Sequence, residues 1–273
     1  MIEPFAKDEA FLANVQDARR QKDAVVLFWL GQSGFLICSN GYCFLVDPYL
    51  SDSLTKKYAA TDKPNVRMTE RVIAPEKLDF IDVVTSSHNH TDHLDAETLL
   101  PLMAANPKLQ MVIPEVNRAF VAERLKTDRD WPIGLADRGQ TTAAGFEINA
   151  VPAAHEQLEP QFLGYVIRTG GRTIYHSGDT MLYDGMAQRL AEFKIDLALL
   201  PINGANPERR VAGNLNGTEA ARLAHDCGAK SVTPCHYEMF EFNTATPDEF
   251  VGEARRLRQP YRVIRAGEGM NLE

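Results

Sequence analysis

His88-Asn89-His90-Thr91-Asp92-His93 sets three imidazoles and one carboxylate within six positions. The run before it, Ile81-Asp82-Val83-Val84-Thr85, has the length and β-branched content of a buried strand. In an open α/β sheet, ligands bind in the crevice outside the carboxyl ends of the strands. Imidazole nitrogen together with carboxylate oxygen suits Zn²⁺, Mn²⁺ or Fe²⁺. A straight strand would not bring all four side chains to one ion. A tight loop would let His88 and His90 face one metal while Asp92 and His93 face a neighbour.

Further ligands must then come from other strand ends. Three positions fit: His155 after a strand expected at 146–151, Asp179 after one at 172–176, and His236 after Val232-Thr233-Pro234-Cys235. Five of the seven histidines are thereby candidate ligands. His225, late in a helix, and His176, alternating within a strand, read as structural, although His176 could support a ligand from behind.

The pattern outward from the motif is that of a layered α/β protein. A helix over 6–22 precedes strands at 25–30, 35–39 and 42–46. Residues 47–78, polar and carrying Pro48, Pro64 and Pro75, read as a long loop with at most one short helix, and such loops often act as lids. Strands at 81–86, 110–113, 146–151, 162–168, 172–176, 196–200, 231–234 and 261–264 are then expected. The helices among them fall at 95–106, 115–126, 183–192, 218–227 and 247–256. Asp95 caps the first of these, which Pro101 should kink or shorten. No low-complexity linker divides the chain. The expectation is one domain over 1–273, with two sheets sandwiched between helices.

Bulk properties exclude some partners. A net charge of −8 without a basic block argues against nucleic acid, which needs clustered Lys and Arg, and leaves room for a small anionic substrate. No stretch approaches the roughly 20 apolar residues of a membrane span. Met1 to Glu9 is acidic and lacks signal-peptide character, so a cytoplasmic protein is expected. The four cysteines form no Cys-x-x-Cys pair. Cys38 and Cys43 flank an Asn40-Gly41 hairpin turn, which would set them opposite each other as free thiols in a reducing cytosol.

The series His88-x-His90-x-Asp92-His93, His155, Asp179 and His236 resembles the metallo-β-lactamase superfamily over essentially the whole chain. That resemblance implies an αββα sandwich with the site at one edge of the two sheets. It also implies that His88, His90 and His155 hold a first metal, and Asp92, His93 and His236 a second, with Asp179 and a hydroxide bridging. Asp47, ending Phe44-Leu45-Val46-Asp47-Pro48, would support the metal loop. Superfamily β-lactamases usually carry Cys where this chain has Asp179, which speaks against antibiotic hydrolysis. Trp29 to Phe35, Val46 to Ser51, Pro201 to Gly204, Asn214 to Ala220 and Pro234 to Phe240 are similar to the L-ascorbate-6-phosphate lactonase-like branch. The branch implies manganese as a candidate beside zinc, and assembly into a homo-oligomer.

Two divalent ions bridged by water lower its pKa from about 15.7 to near 7 and so supply hydroxide at neutral pH. The expected function is hydrolysis of a small, anionic lactone or ester, with Asp92 or Asp179 orienting the hydroxide and carrying a proton to the leaving oxygen. A phosphodiesterase is the alternative within hydrolases, and a metal-binding regulatory protein the alternative outside them. Asn203, Arg209 and Arg210 follow the strand at 196–200, where an Arg could grip a phosphate or carboxylate bidentately. A solvated loop explains them as well. Tyr237 could hydrogen-bond a carbonyl oxygen of the substrate, and packing explains it equally.

Overall fold

Val25–Gly31 (β1), of sequence VVLFWLG, is buried at every position, as only an interior strand covered on both faces can be. The computed structural model describes residues 1–209 and 212–272. Tight turns connect β1 to Gly34–Ser39 (β2) and β2 to Tyr42–Val46 (β3). The Asn40-Gly41 turn has positive φ at both residues, 51° and 85°, the backbone that matches the twist of a two-residue hairpin. It pairs Cys38 with Cys43, whose Sγ atoms lie 3.1 Å apart as free thiols.

The chain then adds Val83–Thr85 (β4), Gln110–Pro114 (β5) and Ile133–Leu135 (β6) to this sheet in parallel. A second sheet holds Gln140–Ala143 (β7), Phe146–Ala154 (β8), Leu158–Thr169 (β9), Arg172–His176 (β10), Leu197–Pro201 (β11) and Ser231–Cys235 (β12). Gly269–Leu272 (β13) returns to the first sheet and pairs with β1. The resulting orders are β13-β1-β2-β3-β4-β5-β6 and β12-β11-β10-β9-β8-β7. The sheets meet face to face, with the rings of Phe44 on β3 and Phe146 on β8 at 5.1 Å.

Helices cover the sheets. Asp8–Arg20 (α1) packs Phe11 edge-on against Phe28 of β1 at 5.5 Å. Ser53–Tyr58 (α2) lies in the long 47–78 segment. Ala96–Ala105 (α3) and Arg118–Leu125 (α4) follow β4 and β5. Met186–Ala191 (α5) precedes β11, Gly217–Asp226 (α6) packs on β11 and β12, and Asp248–Leu257 (α7) packs on α6. This is the expected α/β sandwich of two mixed sheets flanked by helices. No described helix is long and apolar enough to cross a membrane.

Three details differ from the sequence reading. The last strand is β13 rather than 261–264, where Tyr261 makes only an isolated bridge to Val232 before the chain crosses to β1. The strands β6 and β7 were not anticipated, because they are short and only partly buried. Pro101 does not end α3, which runs on to Ala105. Asn106 holds that helix end, its Nδ2 donating to Leu102 O at 2.8 Å and Leu78 O at 2.7 Å. The Asn106 Oδ1 also accepts from Ile81 N at 2.8 Å, tying α3 to the approach to β4.

Candidate metal centre

Beyond Thr85 the chain leaves β4 and curls. His93 N and Leu94 N both donate to His90 O, at 3.1 and 2.8 Å. Arg124 of α4 closes the loop from outside, donating to Asn89 O at 2.9 Å and Leu94 O at 3.0 Å. The imidazoles of His88, His90 and His93 therefore point inward. His155 from the end of β8, Asp179 from the segment after β10 and His236 from the end of β12 converge on the same place.

Two clusters result. His88, His90 and His155 form one, and Asp92, His93, Asp179 and His236 the other, with the donor atoms in each within 4.8 Å of one another. Asp179 reaches both, its Oδ2 lying 3.1 Å from His236 Nε2 and 3.6 Å from His155 Nε2. All seven residues singled out from the sequence are thus brought together.

The hydrogen bonds behind the rings decide which nitrogen faces inward. His93 Nδ1 donates to Asp47 Oδ2 at 2.7 Å, and His155 Nδ1 donates to Gly213 O at 2.9 Å. Ser87 Oγ bonds Asp47 Oδ2 and lies 3.0 Å from His88 Nδ1, so its one proton goes to the carboxylate and His88 Nδ1 donates to the hydroxyl. In each case Nε2 is the nitrogen turned towards the cluster. Asp47 also accepts from Ser87 N at 3.0 Å and Thr85 Oγ1 at 3.2 Å, which fixes it beneath the loop.

Several inward atoms have no hydrogen-bond partner although buried: His88 Nε2, His93 Nε2 and Asp179 Oδ1. Buried polar atoms are nearly always satisfied, so orphans gathered at one point call for an ion. His155 Nε2 and His90 Nδ1 face each other at 3.2 Å, two imidazole nitrogens with a cation's place between them. The donor set of nitrogen and carboxylate oxygen fits borderline divalent ions.

The two clusters differ electrostatically. Burial pushes His88 and His155 down, which keeps them neutral. In the other cluster burial opposes ionisation, yet His236 and His93 outweigh it and hold Asp179 well below the usual carboxylate range. Asp179 and Asp92, acting against burial, raise His93 and push His236 up to about 9. The first cluster is made of imidazoles alone, and the second adds two carboxylates.

A cavity of about 690 Å³ opens over both clusters. Leu54, Tyr58, Phe120, Phe240 and Phe242 give it apolar walls, and Lys57, Lys63, Arg124 and Arg209 share its lining with Asp62 and Glu156. Arg209 is held by the carbonyls of Asn203 and Thr244, and Arg124 by those of Asn89 and Leu94, so neither loses its charge to these partners.

A family model described as a beta-lactamase superfamily domain matches residues 42–237, most of the chain and every element of the two clusters. The chain belongs to the beta-lactamase superfamily. Among its relatives is a UPF0173 metal-dependent hydrolase of Pyrococcus furiosus, 30% identical over 91% of this chain and 100% of the relative. Another UPF0173 metal-dependent hydrolase, from Opitutus terrae, is also 30% identical, over 90% of this chain and 99% of its own. In fold, this superfamily member is similar to Igni18, a metallo hydrolase of Ignicoccus hospitalis, with a TM-score of 0.67, 24% identity and coverage of 92% and 99%. It is also similar to an isothiocyanate hydrolase from Delia radicum gut bacteria, with a TM-score of 0.71, 19% identity and coverage of 90% and 98%.

Not every residue proposed for substrate contact lies in the superfamily site. Arg209 lines the cavity. Asn203 does not: it is buried, donating to Asn243 Oδ1 at 2.9 Å and accepting from Asn214 at 3.0 Å, and so braces the rim from behind. Arg210 lies outside the described residues. Tyr237 is corrected outright. Its hydroxyl donates to Ile264 O at 2.9 Å and its ring packs on Trp29 at 4.7 Å, because the residue after His236 faces away from the cluster. His176 is structural as read, its Nε2 donating to Ser33 O at 2.9 Å and its Nδ1 accepting from Gly178 N at 3.1 Å.

One buried neighbour of the clusters escaped the sequence reading. Gln32 Nε2 lies 2.8 Å from Asp92 Oδ2 and 3.1 Å from His236 Nε2. Nothing in a lone Gln within Gly31-Gln32-Ser33-Gly34 marks it, and only a non-glycine residue held at φ 50° hints at a task.

Proposed function

We propose that this protein is a metal-dependent hydrolase of a small anionic lactone or ester. The observation that carries the reading is the joining of two donor clusters through Asp179 at the floor of a cavity that Arg124 and Arg209 line. His88, His90 and His155 would hold one ion, Asp92, His93 and His236 a second, and Asp179 would serve both. Zinc and manganese both suit five imidazoles and two carboxylates. Bound there, the ions supply Lewis acidity and bring the pKa of water from about 15.7 to near 7.

The chain's own groups do the rest. Arg209 and Arg124 draw the anionic end of the substrate to the rim, where a guanidinium can offer two parallel N–H donors. Phe120, Phe240 and Phe242 cover its carbon skeleton and exclude water around the reacting carbonyl. Asp92 and Asp179 both face the cavity, and one of these carboxylates would orient the attacking water and carry its proton to the departing oxygen. Asp47 keeps His93 in one tautomer throughout.

The test is a turnover screen on protein loaded separately with Zn²⁺ and Mn²⁺. Sugar-phosphate lactones, simple lactones and a nitrophenyl phosphodiester run side by side, with His90→Ala as control. Lactone turnover that disappears in the variant is expected. Turnover of the diester alone would replace the reading with a phosphodiesterase, and two bound ions without any turnover would favour a metal-binding regulatory role.

A further inference from the structure

We infer that Gln32 is a positioning residue of the second metal site, setting that site's affinity through Asp92. The inference rests on the two-ion reading above. Gln32 is fully buried, and its amide Nε2 donates to Asp92 Oδ2 at 2.8 Å. Its Oε1 has no hydrogen-bond partner, so Asp92 is the acceptor that holds the amide. The 3.1 Å approach to His236 Nε2 places the same amide beside a second donor atom of that cluster.

The backbone is built to keep it there. The Gln32 carbonyl accepts from His236 N at 2.9 Å and from Trp29 Nε1 at 3.0 Å. The strand end that carries His236 and the turn that carries Gln32 are thereby locked to each other. Gln32 sits at φ 50° and His236 at φ 61°, a left-handed backbone that costs of order 1 kcal/mol for a side chain other than glycine. Glycine would hold the turn without that strain but would leave Asp92 without its donor. A carboxylate that accepts one N–H on a fixed oxygen has one orientation to offer an ion, which is how groups behind a ligand raise metal affinity.

The experiment is a Zn²⁺ competition titration against a chromophoric chelator, resolving the first and second equivalents, with Co²⁺ absorption spectra as an independent signature. Gln32→Met keeps the length and removes the donor; Gln32→Glu keeps the shape and offers only acceptors. Gln32→Met should weaken the second equivalent by about tenfold or more, leave the first unchanged and alter the Co²⁺ spectrum of the second. Gln32→Glu, which sets two carboxylates against each other, should weaken it further. Unchanged binding by Gln32→Met would overturn the inference. So would equal loss of both equivalents, which marks a merely structural role, or tighter binding by Gln32→Glu, which would make residue 32 a direct ligand. Should Gln32→Met not fold, the sign of the Gln32→Glu effect still decides. Wild-type protein that takes up only one ion would instead overturn the two-ion reading itself.

Discussion

His93 Nδ1 lies 2.7 Å from Asp47 Oδ2, and neither side chain is exposed to solvent. A buried carboxylate behind an imidazole fixes the tautomer and makes the opposite nitrogen a better donor. Asp47→Asn should therefore lower the affinity for the second ion by about 10- to 100-fold, with the fold intact. Metal competition together with far-ultraviolet circular dichroism measures both. Unchanged affinity would mean that His93 needs no such support.

Gly178 adjoins Asp179 with φ 60°, and a Cβ there would stand 2.6 Å from Ser87 Cβ and 2.9 Å from Leu163 O. Ser87 in turn supports Asp47 and His88. Gly178→Ala should destabilise the protein by about 1–3 kcal/mol, as overpacking does. It should also weaken metal binding. Denaturant unfolding gives the first quantity, and a loss of stability with normal metal uptake would show that Ser87 gives way without disturbing its partners.

Removing metal should lower the melting temperature, since ions that bind only the folded chain stabilise it by about 2.7 kcal/mol per site at a hundredfold excess over Kd. Melts before and after chelation, and again after Zn²⁺ is restored, check this. Identical melts would place the ions outside the folded core.

Glu253 of α7 accepts from Arg256 Nε at 2.7 Å and from Arg222 Nε of α6 at 2.6 Å. These bonds, with Arg256 first, hold its carboxyl down at about 2. A folded pKa below the unfolded value of about 4.3 means stability that is full above that value and lost as pH falls towards 2. Glu253→Gln should thus be less stable than wild type at pH 7, with the difference closing between about pH 4.3 and 2. A deficit constant across that window would assign the effect to packing.

All four thiols are buried. The Cys43 contact, and burial after it, raise the Cys38 thiol, while burial raises Cys235. Since the thiolate is the reactive form, a disulfide reagent should find no thiol in the native protein and four after unfolding. Fast labelling of Cys38 or Cys43 in the native chain would expose local opening of the β2–β3 hairpin.

The metal-binding pattern was legible because it is local: six consecutive positions at a strand end, then single residues at three more strand ends. The hairpin strands were legible from Asn40-Gly41 and the apolar runs around it. Gln32 was not, since its partners Asp92 and His236 stand 60 and 204 positions away and meet it only after both sheets have formed. Tyr237 misled by adjacency, as side chains leaving a strand end alternate in direction. The short β13 carries too few residues to show its period, whereas the Tyr261 segment mimics one.

Tyr49, Leu54, Met239 and Phe240 form a small apolar nucleus apart from the main core. Leu54 and Phe240 also wall the cavity, while the donor clusters stand on the strand ends of the large one. Part of the cavity wall and the donor clusters therefore rest on separate foundations. Exchanging the pieces around residues 49–58 and 239–242 together would reshape that wall while the donor clusters beneath stay on their own strand ends.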